Sequence, residues 1–577
     1  MKFWYHGYVL TTFCIGLCLF IFLMDGIGFT GLFFFQKTYL ELFLVSIPIL
    51  LYFYAMLKNR TIKFPMRLSL LFLSFIVFSF ISSFFSIDKT ISVHMSFYFF
   101  AVFLIFIFAY NFHSEAKKII HAFLLLLSLP FILVWVCLFL LNDPANQQTY
   151  MSTGRQLIFP FYPGHNHLGD LLGASILLLV AAVKTHRKFP MLALFIFFFL
   201  ISFSRSAYLS LFICLCLLLL YLFKRKLIDI KRNGGILILS LLILIFFFFS
   251  VVHEGKPIEP ILQFQSIFNR TFLGYKGFLS GRPAYFTQAS QTIRHFPLWG
   301  VGPGNFIYAS KLFAAFAEDV VDNAFNVFLH FFAEIGIFAG ICFVLMMVLF
   351  TISAFRQKTI YALLFLYFLV NFQTDYTFTI LSLFILLFML AGVFYHEKKH
   401  FNGSSVYGIF AFMCFTWIFI LISSTIQIRS GNFGLALLLY PLNKDAYEKQ
   451  IEKKHAQGNY NDARILVKRY YSISPLSIQT LLFLANYYNE TSSTSEALRF
   501  YRQIYANNRY AEFNTVIKPI YLLEKGAGNE KGASEILSQF LQDHDQLKYD
   551  YDNFRKQVVD FCIEQKDILC KARGWDK

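Results

Sequence analysis

The residues best suited to chemistry stand in two short polar interruptions of an otherwise apolar chain. Arg205 lies in Phe203-Ser204-Arg205-Ser206-Ala207, between two hydrophobic runs. Arg282 follows Gly281 and precedes Pro283, a proline placed to open a helix. That helix carries Gln288, Gln291, Thr292 and His295 on one face and Tyr285, Ala289 and Ile293 on the other, with Arg294 near its end. A guanidinium stays charged at every physiological pH and forms paired hydrogen bonds with anionic oxygens. The stretch Phe296–Phe306 places Gly300, Gly302 and Gly304 at alternate positions before Asn305, so its backbone is built to pass close to a ligand or another segment. Asn326, His330 and Glu334 follow at the entry to the next apolar run, and Asn166, His167 and Asp170 open an earlier one. The chain has no His-Glu-x-x-His, Cys-x-x-Cys, phosphate-binding Gly-rich loop or DxD pair, so no cofactor or metal is expected.

The elements that must position these groups are membrane helices. Of the 577 residues, 57% are hydrophobic and 14% charged, and 77 phenylalanines exceed what a soluble surface can carry. Apolar stretches of the length that crosses about 30 Å of hydrocarbon recur near 7–24, 40–57, 68–85, 92–110, 119–141, 168–183, 190–203, 206–223, 235–252, 331–353, 359–372, 377–395 and 405–427. No cleavage site follows the first, which reads as a span. Alternate connections, with Lys2, hold 19 cationic side chains, among them Lys63, Arg67, Lys117, Lys398 and Lys399. The other short connections hold only Lys37, Lys89, Arg155 and Arg205. This asymmetry predicts that the first set and the N-terminus are cytoplasmic. The net charge of +17 is thereby a topological signal and not a nucleic-acid footprint. The segment 190–223 could be one tilted helix, but basic clusters on both flanks require an even number of crossings. It therefore predicts a hairpin with Arg205 at its outward tip. The fold expected is an all-α polytopic bundle of about 12–13 helices over residues 1–427, with a large external loop at 253–330.

Residues 428–577 have soluble composition with balanced charge and form the second domain, expected outside the membrane. Ala463 and Ala497 stand 34 residues apart in similar helical stretches, Asn461–Tyr471 and Ser495–Tyr505. This spacing resembles tetratricopeptide repeats and predicts a surface for a protein partner. Cys562 and Cys570 are about 12 Å apart if one helix is continuous between them, too far for a disulfide. The other cysteines fall in apolar spans and read as small fillers.

From Arg282 through Pro297-Leu298-Trp299-Gly300-Val301-Gly302-Pro303-Gly304-Asn305-Phe306, then Asn326-x-Phe328-Leu329 and Glu334-x-Gly336, the chain resembles the O-antigen ligase/O-antigen polymerase family. Ser202–Tyr208 and His165–Gly169 add to the likeness, which covers roughly 150–395. The resemblance implies a GT-C-like membrane glycosyltransferase with a large periplasmic loop, sited in the bacterial cytoplasmic membrane. Such proteins move glycan from a polyprenyl-pyrophosphate carrier to a hydroxyl of a lipid, glycan or protein acceptor. Tetratricopeptide-like tails occur in the family. Under that reading Arg205, Arg282 and Arg294 stabilise the leaving pyrophosphate, and Asn166, His167, Gly302, Asn305 and Asn326 contribute to substrate binding.

One position departs from the pattern. The family places a histidine before the residue matching Asn326, where it is thought to orient or deprotonate the acceptor; this chain has Phe325. The base would then be His295, His330, His167 or Glu334, or the leaving group would carry most of the rate. The alternatives are a catalytically silent family member acting as a glycan-assembly scaffold, a polyprenyl-monophosphate-sugar transferase using Asp25, or a transporter. Against transport, ionisable residues within the spans are scarce.

Overall fold

The computed structural model describes residues 61–141, 165–182, 189–202, 204–224, 282–314, 320–508 and 513–545, with isolated residues elsewhere. The expected span at 7–24, most of those at 40–57 and 235–252, Asp25, Arg155, Cys562 and Cys570 lie outside the described residues.

Among the described residues ten apolar helices form the bundle: α1 (Met66–Phe84), α2 (Lys89–Asn111), α3 (His113–Leu141), α4 (His165–Ala182), α5 (Phe189–Ile201), α6 (Arg205–Lys224), α9 (Val327–Gln357), α10 (Ile360–Asn371), α11 (Leu381–Phe394) and α12 (Ser404–Arg429). Among the described residues between α6 and α9 are two loop helices, α7 (Arg282–His295) and α8 (Phe306–Phe313). Four bundle helices, α1, α2, α9 and α12, are long and apolar enough to span a membrane alone, and shorter apolar helices lie among them. The hairpin expected at 190–223 is present as α5 and α6, with the break at Ser202–Ser204. Tyr208 closes it by donating its hydroxyl to the Leu200 carbonyl (2.5 Å), its ring packed edge-on to Phe199.

Local chemistry sets where the helices begin. Asp88 caps α2 by accepting from the amides of Thr90 (3.1 Å) and Ile91 (3.4 Å). Asn326 caps α9 through the amides of Phe328 (3.1 Å) and Leu329 (3.0 Å). α2 is buried continuously from Tyr98 to Ala109 and forms the axis of the bundle, packed by α1, α11 and α12. Lipid tails are as apolar as these side chains, so the helices need close packing and internal hydrogen bonds to hold together. Phenylalanine rings supply the first: Phe72–Phe103 at 4.9 Å and Phe75–Phe99 at 5.1 Å join α1 to α2, and Phe72–Phe388 at 5.1 Å joins α1 to α11. Serine pairs supply the second, with Ser79 and Ser96 at 2.8 Å. Outward, α9 exposes Ile337, Ile341, Leu345, Val348 and Ile352 as one stripe at helical spacing, the face suited to lipid.

The bundle has two chemically distinct ends. At one, β1 (Lys63–Pro65) pairs antiparallel with β2 (His400–Asn402), Phe64 opposite Phe401. Asn111 closes on Lys63 from both sides (2.8 Å each), and the Arg67 amide donates to Glu397 (2.9 Å). Lys63, Arg67, Lys398 and Lys399 therefore gather at one end of the bundle. At the other end lie the 85–88 turn, the 202–205 break, the α7–α8 loop, Asp322–Asn326 and the 372–380 connection.

The tail docks on that second end. Its helices α14 (Lys444–Ala456) and α15 (Tyr460–Ile473), α16 (Ile478–Glu490) and α17 (Thr494–Asn507), and α18 (Lys518–Gly526) and α19 (Glu530–Asp545) pack as successive pairs, joined to α12 by α13 (Phe433–Leu439). Ala463 and Ala497 are fully buried where paired helices meet. Lys444 forms an ion pair with the buried Asp88, Lys89 donates to the Ser472 carbonyl (2.8 Å), and Thr90 donates to that of Leu442 (2.8 Å). Tyr308 of α8 shares a hydrogen bond with Ser477 (3.2 Å); burial, assisted by the Asp88 charge, pushes its phenol up to about 12.

Candidate functional site

The glycine-rich segment after α7 is a brace. Gly336 breaks α9 with φ +81, and its neighbours exchange partners there. The Ile337 amide donates to Pro297 (3.0 Å) and not to Ala333, whose carbonyl instead accepts from Val301 (3.1 Å). The Glu334 carbonyl likewise accepts from Gly302 (2.7 Å). The Glu334 carboxylate completes the clamp, one oxygen taking the Gly304 amide (2.9 Å), the other that of Phe306 (3.0 Å). Gly300 and Gly336 are needed because their contact is backbone on backbone: a Cβ on Gly300 would stand 2.3 Å from the Glu334 carbonyl oxygen, and one on Gly336 would stand 2.1 Å from that of Leu298. Both also have left-handed φ, which other residues adopt at a cost. Asn305 is fully buried and ties the segment to α2 through the Ser92 hydroxyl (2.7 Å).

This changes the reading of four residues. Gly302 and Asn305, expected at the substrate, are spent on packing against the 85–92 region. Glu334, a candidate base, has both oxygens engaged by amides, with one also 3.2 Å from His330 Nε2. His330 is 6% exposed and walled by Phe306, Phe331 and Phe378. Two others lie away from Arg282. Arg294 and His295 are exposed at the far end of α7, about 18 Å along the helix from Arg282, and His295 bonds back to the Gln291 carbonyl (2.9 Å).

The charged groups that do converge meet on the 372–380 connection. Asp375 there is fully buried. Its Oδ2 accepts the Ser206 hydroxyl (2.7 Å) and faces the Arg282 guanidinium at 3.6 Å; its Oδ1 accepts the Tyr376 amide (2.7 Å). The first turns of α6, which begins Arg205-Ser206, and of α7, which begins with Arg282, are thus brought to one carboxylate. Asn326 holds the same connection, donating to the carbonyl (3.2 Å) and side chain (3.1 Å) of Gln373. Asp170 anchors its two sides by accepting from Asn371 (2.5 Å) and Thr377 (2.6 Å). Gly169 lets α4 approach that end, where a Cβ would stand 2.6 Å from Ser204 Cβ.

Aromatic rings flank the arginine. Tyr285, one turn along α7, stacks on Phe325 (4.9 Å, 27°), and Tyr376 meets the same ring edge-on (5.1 Å, 67°). The Arg282 guanidinium lies 5.7 Å from the Phe325 centroid, within cation–π range. His167 packs edge-on to Tyr376 (5.2 Å). Phe325 has φ +51, a backbone state costing an L residue about 1–2 kcal/mol. Its amide is held by the Asn323 side chain (3.2 Å), and the Asn326 cap fixes the next residue. The side chain of Asn166 lies outside the described residues.

Asp375, Ser206, Tyr285 and Tyr376 were not singled out as site residues from the sequence. The available signal was one acidic residue between two apolar helices, Gln373-Thr374-Asp375-Tyr376-Thr377, where a charge requires a partner.

Among the described residues, an almost wholly helical bundle with four helices long and apolar enough to cross a membrane, and a charged, aromatic group at one end, define a polytopic membrane protein. Residues 190–344 match the family model for O-antigen ligase. The match runs from α5 through the Arg205 break, α7, the glycine brace and Phe325 into α9. No curated protein matches the chain. The match supports a part in glycan transfer at a coarse level, and the matched family implies lipid-linked glycans and a membrane setting.

Proposed function

We propose that the protein transfers or polymerises a polyprenyl-pyrophosphate-linked glycan onto an acceptor hydroxyl at the outer face of the bacterial cytoplasmic membrane. The observation that carries this reading is the convergence of the Arg205-Ser206 and Arg282 helix starts on Asp375, at the end opposite the basic loops. In the reaction the acceptor oxygen bonds to the anomeric carbon as the carbon–oxygen bond to the pyrophosphate breaks. The electron pair of that bond leaves on phosphate, so negative charge grows where Arg205 and Arg282 can receive it. The 3.6 Å separation of Arg282 from Asp375 is longer than a charge-assisted hydrogen bond of about 2.8 Å. Asp375 on this reading holds the guanidinium in position, and incoming phosphate oxygens take the short contacts. Of the four candidate bases, His167 is the one joined to the aromatic group beside Arg282 among the described residues, so it is assigned the acceptor proton.

Arg205→Ala and Arg282→Ala should each abolish transfer from carrier-linked glycan while the protein inserts normally. Lysine at either position should restore only part, because a point charge lacks the paired donors. Full activity of an alanine variant would remove that arginine from the site.

The same reading places the tail outside, since it docks on the end remote from the cationic loops. A C-terminal alkaline phosphatase fusion should be active and a green fluorescent fusion dark. The reverse pattern would invert the topology.

A further inference from the structure

We propose that Tyr285, Phe325 and Tyr376 form a platform for one pyranose ring, the sugar joined directly to the carrier pyrophosphate; this rests on the pyrophosphate reading of Arg205 and Arg282. Three rings from three separate segments meet there: Tyr285 from α7, Phe325 from the turn before α9, and Tyr376 from the 372–380 connection. All three are partly exposed, so the group is not sealed core. The central ring stands on a left-handed backbone that a phenylalanine rarely adopts, held by Asn323 on one side and the Asn326 cap on the other. Backbone strain maintained by neighbouring hydrogen bonds points to a side chain whose direction matters.

The chemistry of the group selects the ligand. An aromatic face carries negative quadrupolar charge and attracts weakly positive hydrogens. The C–H-bearing face of a pyranose offers such hydrogens on a flat apolar surface of similar size. The adjoining Arg282, 5.7 Å from the Phe325 centroid, sets the register: with phosphate on the guanidinium, the next group along the donor is its first sugar. Phe325 cannot take a proton, and on this account its contribution is to place the anomeric carbon.

The test uses the full-length protein in detergent micelles and two probes, a short-chain prenyl pyrophosphate and the same compound bearing one hexopyranose. Binding is read by calorimetry for the wild type, Phe325→Leu, which keeps the bulk but loses the ring, and Phe325→Tyr. The wild type should bind the sugar-bearing probe about tenfold more tightly than the bare pyrophosphate, the difference expected of one good ring contact. Phe325→Leu should erase that difference while binding the bare probe as the wild type does, and Phe325→Tyr should keep it. Equal binding of both probes by the wild type would overturn the platform and leave the pyrophosphate reading standing. Loss of the bare probe in Phe325→Leu would make Phe325 a support for Arg282 and also overturn it. If the wild type bound neither probe, the pyrophosphate reading would fail, and the platform with it.

Discussion

The glycine brace lies within the matched residues 190–344, whereas the arginine group reaches beyond them to His167, Asp375 and Tyr376, and the two use polar atoms in opposite ways. In the brace, the Glu334 carboxylate, the Ala333 and Glu334 carbonyls and the amides of Val301, Gly302, Gly304 and Phe306 satisfy one another within 2.7–3.1 Å. Around Asp375, the Arg282 guanidinium stands at ion-pair distance, and the neighbouring rings of Tyr285, Phe325 and Tyr376 are partly exposed. A saturated network fixes geometry and has little left with which to bind. A charged group beside partly exposed rings can still take a ligand. The segment that most clearly carries the family resemblance therefore serves as scaffold, and the chemistry is assigned to residues contributed by α4, α6, α7 and the 372–380 connection.

If that division is right, the two regions fail differently. Gly336→Ala should be the most damaging change, because a Cβ would stand 2.1 Å from the Leu298 carbonyl oxygen on a backbone at φ +81. Overpacking and backbone strain together should cost about 3 kcal/mol or more, seen as little folded protein by fluorescence-detected size exclusion. Normal yield would show that the brace is not tight. His167→Ala should fold normally and lose about 10²-fold or more in transfer rate, the scale of a general base. Unchanged turnover would leave leaving-group stabilisation as the main catalytic contribution.

Glu334→Gln should do the converse. One of two amides, on Gly304 or Phe306, then faces an NH2 group in place of an oxygen, at a cost of about 1–3 kcal/mol. The melting temperature should fall while each folded molecule keeps its transfer rate; a normal melting temperature with lost turnover would return Glu334 to the catalytic group. Alanine at Arg294 or His295 should change neither quantity measurably. A large loss of transfer at either would mean that the far end of α7 also meets substrate.

How much of this could be read in the sequence depended on whether the interaction was local. The start of α7 was legible because Pro283 stands at a first helical position, and the break at 202–204 because basic clusters on both flanks demanded a hairpin. Ala463 and Ala497, singled out by their 34-residue spacing, are buried in the tail, but the likeness to tetratricopeptide repeats is not confirmed. The three alternate glycines showed that backbone had to pass closely, but not against what. For Gly300 the answer lay beside Gly336, more than thirty residues on, whose break frees the accepting carbonyls; for Gly302 and Gly304 it was the side chains of Ser86, Ser92 and Ile91. Asp375 was illegible for the same reason: its partners, Ser206 and Arg282, are 169 and 93 residues away, and nothing in its own neighbourhood names them. Phe325 was noticed as a departure, and its ring partners supplied a reading that composition did not contain.

The central claim is that Arg205 and Arg282 hold one pyrophosphate. It is tested most directly by the affinity of the purified full-length protein for a short-chain prenyl pyrophosphate against the corresponding monophosphate, measured for the wild type and for Arg205→Ala and Arg282→Ala. The account predicts that the wild type prefers the pyrophosphate by at least about tenfold and that each substitution removes most of that preference. Alanine variants that retain the full preference would contradict it.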